Sequence, residues 1–227
     1  MFLCLKMAVN YHSNTEKIAQ MLRNAHNPEV CKIRKDFFDA EFSFLKSRIQ
    51  WKNVLVAWSG LWHDAFVLAE YNKYVTGIEL IQNFVKEANE NLKKTNYKNI
   101  SFIYWDFLNY TCPDKYFDAV VLNMWTIGNF DDKESVIKSL FRMWKKLYFG
   151  FWIPEVKDIS FRLQMYNEEK NFRDVNFEID WTTIREKNSW LESNCTKTEE
   201  IQNIVHNIWA KVKLYPVFKS FVVAEVF

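Results

Sequence analysis

The residues able to do chemistry fall in a few short stretches. In Val54-Leu55-Val56-Ala57-Trp58-Ser59-Gly60-Leu61-Trp62-His63-Asp64-Ala65-Phe66, an apolar run passes through a loop with one glycine into a helical pattern. A glycine at such a strand-to-helix turn lets the backbone bend tightly and approach a ligand. Glu79, in Gly77-Ile78-Glu79-Leu80, follows that loop by about 20 residues, a separation at which a carboxylate can accept ribose hydroxyls. Asp106-Phe107 follows a further apolar run, and Asn123 ends another. Other chemistries find no footing. There is no G-x-S-x-G and no Walker-A sequence. His12, His26, His63 and His206 lack metal-ligand spacing, so no metal is expected. Cys4, Cys31, Cys112 and Cys195 form no C-x-x-C pair, which argues against a zinc ribbon or a disulfide scaffold.

Regular elements must hold these stretches. Residues 12–25 and 36–48 pattern as amphipathic helices, the second with Phe37, Phe38, Phe42 and Leu45 on one side. Strands are predicted at 53–57, 74–80, 100–104, 117–123 and 147–153. Helices are predicted at 63–70 and 81–94. A third opens at Asp131-Asp132-Lys133-Glu134, which resembles a capping box, and carries Val136, Ile137, Leu140, Phe141 and Trp144 on its core face. Strand and helix alternate from 53 to 153, which implies right-handed crossovers and a mostly parallel sheet. After Pro154 the pattern changes. Residues 175–195 alternate as hairpin strands, Thr196 to Glu199 cap a helix with Ile201, Ile204, Val205 and Ile208 on one face, and strands close the chain at 211–215 and 219–227.

The ordered set of motifs resembles the class I S-adenosylmethionine (SAM)-dependent methyltransferases of small-molecule type. The first loop is similar to the family's V-L-[DE]-x-G-x-G-x-G, with Trp58 and Trp62 at the first and third glycines and Val56 at the acidic position. Gly77-Ile78-Glu79 looks like G-[IV]-[DE], Tyr104-Trp105-Asp106-Phe107 like x-G-D-hydrophobic, and Phe117-Asp118-Ala119-Val120 like F-D-x-[IV]. The resemblance implies an α/β fold: a Rossmann-like seven-stranded, mostly parallel sheet with helices on both faces, plus a small antiparallel β insert. It divides the chain into an N-terminal helical cap (1–50), a SAM-binding core (51–153), a β-rich insert or lid (154–195) and a closing helix with strands (196–227). It assigns SAM to Trp58, Ser59, Gly60 and Trp62 in the loop, to Glu79 (ribose) with Leu80 beside it, to Asp106 (adenine amino group) with Phe107 flanking the ring, and to Asn123 and Tyr11 at the donor edge.

Methyl transfer from a sulfonium needs mainly positioning, so no catalytic residue is expected by type. Asn123, Tyr11 and His12 are the candidates near the donor, more cofactor-covering than catalytic. A net charge of +2 on 227 residues lacks the basic excess of a nucleic-acid binder. A small-molecule acceptor is therefore expected, with nucleic acid disfavoured. No apolar run reaches the roughly 18 residues of a membrane span, and no signal-peptide pattern opens the chain. The unpaired cysteines suit a reducing, cytoplasmic setting. The alternative is a catalytically silent SAM-fold binding protein, which the bulky residues in the loop favour.

The composition holds one anomaly. There are 4 glycines and 10 tryptophans, whereas glycine at about 7% predicts roughly 16 in this length. The two counts together make 14, close to that expectation. Trp51, Trp58, Trp62, Trp105, Trp125, Trp181, Trp190 and Trp209 stand in loops, turns or a helix C′ position where glycine is favoured. Trp144 and Trp152 suit apolar contexts instead. The pattern is that of UGA codons read as glycine by the organism and rendered as tryptophan by another code. As written, an indole at 58 or 62 is expected to stand where the donor's methionine portion lies.

Overall fold

The computed structural model describes residues 15–24, 27–122, 126–143, 145–154, 156–169, 177–180, 182–186 and 192–227. Two helices come first, α1 (Thr15–Asn24) and α2 (Lys32–Arg48). The Cys31 sulfur accepts from the Arg34 amide and caps α2. The alternating region follows: β1 (Asn53–Ala57), α3 (His63–Ala69), β2 (Tyr74–Glu79), α4 (Gln82–Lys93), β3 (Ile100–Tyr104), β4 (Ala119–Leu122), α5 (Lys133–Arg142) and β5 (Leu147–Trp152). Short 3-10 turns, Phe107–Asn109 and Thr126–Asn129, follow β3 and β4. α5 starts at Asp132, whose carboxylate accepts from the Ser135 amide at 2.9 Å.

β1 to β5 pair in parallel, and β9 (Val212–Phe218) and β10 (Phe221–Val226) close the sheet antiparallel beside β5, giving the order β3-β2-β1-β4-β5-β10-β9. The expected seven-stranded, mostly parallel sheet is present. Period-two alternation splits its side chains between two faces. Val54, Val56, Tyr148, Trp152 and Val223 pack with Phe37, Phe38 and Leu45 of α2 and Leu68 of α3. Leu55, Ala57, Phe149, Phe151 and Val222 pack with Ile137 and Leu140 of α5 and with Ile201 and Val205 of α7 (Thr198–Asn207).

The region expected as a β-rich insert opens with a helix, α6 (Val156–Glu169), before the antiparallel β6 (Phe177–Ile179), β7 (Thr183–Glu186) and β8 (Glu192–Asn194). α6 is anchored by Arg162, only 1% exposed. Its guanidinium donates to the carbonyl and Oγ of Ser193 and to the Cys195 sulfur. Thr196 donates its amide to the Trp152 carbonyl at 2.7 Å, tying this layer to the end of β5. No described helix is long and apolar enough to cross a membrane.

Candidate functional site

The strand order reverses between β1 and β4, with β2 and β3 on one side and β5 on the other. Open α/β sheets hold ligands at such a switch point, outside the carboxyl ends of the strands. The loop leaving β1, the end of β2 and the segment after β3 all converge there. Register places Ala57 opposite Ile78 and Glu79 opposite Tyr104. The Ser59 amide donates to the Ile78 carbonyl at 2.9 Å, and the Trp105 amide to the Glu79 carbonyl at 3.0 Å, so the three segments are laced together.

Glu79 is 1% exposed. Its Oε2 accepts from the Gly60 amide and its Oε1 from the Ile81 amide, both at 2.9 Å. Burial pushes its carboxyl up to about 7, against the pull of the amides of Ile81, Gly60 and Leu80. A carboxylate has about four acceptor positions, so capacity remains for further donors. Gly60 holds φ +60°, a left-handed conformation that glycine adopts without steric cost. At Gly77 a β-carbon would lie 2.9 Å from Ser59 Oγ and 2.8 Å from Phe102 Cδ1, so the bare residue lets β2 approach the loop. Ser59 is buried, and its Oγ has no hydrogen-bond partner.

After β3, Asp106 accepts from the Leu108 amide at 3.0 Å and from Asn109 Nδ2 at 2.7 Å, which fixes the following 3-10 turn. Phe107 is buried beside it, and Leu80 is half-buried at the end of β2. His63, the first residue of α3, is pushed down to about 4 by burial and is neutral near pH 7. The fourth motif's aspartate lies at the opposite edge. Asp118 bonds the Asn53 amide at 3.1 Å and Lys145 at 2.9 Å, joining the starts of β1 and β4 rather than facing the crevice. Tyr11, His12, Asn123 and Trp125 lie outside the described residues.

The two loop tryptophans part company. Trp62 has an extended φ of −176° and packs beside Leu22, Leu61, Ile81 and Phe84, on the side of α1 and α4. Trp58 is left-handed, at φ +58°. Its ring centre lies 6.1 Å from Phe107 and 5.3 Å from Phe130, and those two rings lie 6.2 Å apart. These are contact separations for aromatic rings, so the three close a triangle at the mouth between β1 and β4. Trp58 therefore stands on the Phe107 side of the crevice, and Trp62 on the side of α1 and α4. Phe130 escaped the sequence reading because no motif marks it; it lies in the loop before α5. Arg162 lies in α6, whose residues carry no motif that marks it.

Residues 59–146 match the methyltransferase domain family. Among solved structures, the fold is similar to the PH0226 protein of Pyrococcus horikoshii, with TM-score 0.65, 19% identity, and coverage of 88% of this chain and 94% of that one. It is likewise similar to a magnesium protoporphyrin IX methyltransferase of Synechocystis with bound SAH, with TM-score 0.65, 14% identity, and coverage of 97% and 98%. Over residues 59–146 the chain therefore carries a methyltransferase-domain signature. Over 73 residues, 32% of its length, this chain is 34% identical to an uncharacterized RNA methyltransferase of Mycoplasma mobile, of which the match covers 20%. The chain thus spans about a fifth of that relative's length. At the identities of the solved structures, the methyltransferase likeness is one of fold.

Not every residue at the crevice suits SAM. A buried carboxylate with spare acceptor capacity at the end of β2 suits ribose hydroxyls, and Asp106 with Phe107 suits an adenine. Trp58 does not, because its indole lies against Phe107, with ring centres 6.1 Å apart.

Proposed function

We propose that the domain transfers a methyl group from SAM to a small-molecule acceptor. The observation that carries this reading is Glu79: a fully buried carboxylate at the switch point, held by the Gly60 and Ile81 amides and adjoining the Asp106-Phe107 segment. In this reading Glu79 orients the ribose, Asp106 and Phe107 hold the adenine, Ser59, Gly60 and Leu80 line the donor, and α6 with β6 to β8 covers the acceptor. The net charge of +2 and the structural likeness to a porphyrin methyltransferase favour a small acceptor. Cys31, Cys112 and Cys195 are free, in keeping with a reducing, cytoplasmic setting.

An RNA acceptor is the second reading, and the 73-residue likeness to the Mycoplasma mobile protein supports it. Methyl-labelled SAM supplied to the Trp58→Gly chain, with a metabolite extract and total RNA in separate reactions, decides between them. Label in the metabolite fraction supports the proposal, and label only in RNA replaces the acceptor. Absence of label from both contradicts methyl transfer.

A further inference from the structure

Six described residues have a left-handed backbone: Gly60, Trp51, Trp58, Trp209, Lys115 and Lys219. A β-carbon is penalised there, and a bulky residue at positive φ is an outlier. The two lysines sit in exposed turns, and the Lys219 ammonium lies 5.6 Å over the Phe161 ring. Trp58 packs against Phe107 and Phe130, but packing supplies no explanation for the other two tryptophans. Trp51 is 72% exposed and Trp209 is 95% exposed, so neither indole is held by burial.

Position 209 gives the sharpest geometry. The Trp209 amide donates to the His206 carbonyl at 2.9 Å and the Ala210 amide to the Val205 carbonyl at 3.1 Å. This is the Schellman pair of bonds, with residue 209 at C′, where glycine predominates. Position 58 begins the loop after β1 and shares its left-handed backbone with Gly60 two residues on. The other described tryptophans separate cleanly. Trp152 is fully buried in the core. Trp62 is extended, and Trp105 is absent from the left-handed set. Trp125, Trp144, Trp181 and Trp190 lie outside the described residues.

Backbone geometry and composition converge on one account. We infer that residues 51, 58 and 209 are glycine in the polypeptide the source organism makes, encoded by UGA read as glycine, and that glycine at 58 opens the crevice beside Phe107 to the adenosyl group of SAM. With hydrogen in place of the indole at 58, the ring triangle loses a corner, leaving only the Phe107–Phe130 contact, and Phe107 gains a free face. The consequence for SAM rests on the methyl-transfer reading; the identity of the three residues does not.

The coding DNA and the native protein test the identity. The inference expects UGA at 51, 58 and 209 and UGG at 152. It also expects a tryptic peptide spanning 198–211 from the source organism to have the mass of glycine at 209. A UGG codon at any of the three overturns it, and so does a tryptophan-mass peptide. Titration of SAM tests the crevice separately. Trp58→Gly is expected to tighten SAM binding by about tenfold or more, while Trp209→Gly, remote from the crevice, leaves it unchanged. Glycine codons with no gain from Trp58→Gly would retain the recoding and overturn the crevice.

Discussion

The Gly60 amide donates to Glu79 Oε2 at 2.9 Å, so the loop after β1 and the end of β2 act as one unit. A left-handed Gly60 aims that amide, and the buried carboxylate fixes the loop in return.

Glu79 titrates near 7 because burial disfavours its charge. Ribose hydroxyls donate to the ionised form, so SAM affinity of the Trp58→Gly chain should rise from about pH 6 to about pH 8. Glu79→Gln should bind roughly tenfold more weakly, with no pH dependence across that range. For stability the sign is opposite. A carboxyl with a raised folded-state pKa contributes fully below its unfolded value and loses that contribution as pH rises through about 7. Calorimetry and urea melts across this range measure both.

Trp209→Gly should raise stability by about 1 kcal/mol, because a left-handed C′ position favours glycine and the exposed indole contributes no packing. Trp209→Ala should gain little, since it keeps the β-carbon. Urea denaturation of the three proteins tests this. Equal gains from glycine and alanine would contradict a backbone cause.

The same change in the core should do the reverse. Trp152 is fully buried, with ring centres 5.4 Å from Phe37 and 5.1 Å from Phe221. Trp152→Gly should cost about 4 kcal/mol or more, through lost burial and the cavity left behind. Chemical denaturation reads the difference directly.

Glu225, in β10, accepts from Lys146 at 2.6 Å, Tyr148 at 3.1 Å and Tyr215 at 3.0 Å. Burial works to raise its pKa, but these donors outweigh it and hold the carboxyl below its ordinary value. Its contribution is therefore present above the unfolded pKa and lost as pH falls. Lys146 is half exposed, which limits the ion pair's share. Glu225→Leu should lower Tm near neutral pH and flatten the fall in Tm below about pH 5; an unchanged profile would contradict this.

The frame was legible because each strand of the core is a short apolar run bounded by turn residues, and each crossover helix has its own apolar face. Glu79 and Asp106 could be placed because strand ends fix which residues meet at a switch point. α6 was not legible, because its anchor is a buried arginine, Arg162, bonded to residues about thirty positions away. Such long-range contacts leave no local period. Trp58 and Trp62 looked alike in sequence. Dihedral angles and packing part them: Trp58 is left-handed against Phe107 and Phe130, and Trp62 is extended beside Leu22 and Phe84.

Calorimetric titration of SAM into the chain and its Trp58→Gly variant, side by side, tests the central claim most directly. The glycine variant should bind with a dissociation constant at least about tenfold lower than the chain. Equal affinities, or no binding by either protein, would contradict a SAM crevice at the β1–β4 switch point gated by residue 58.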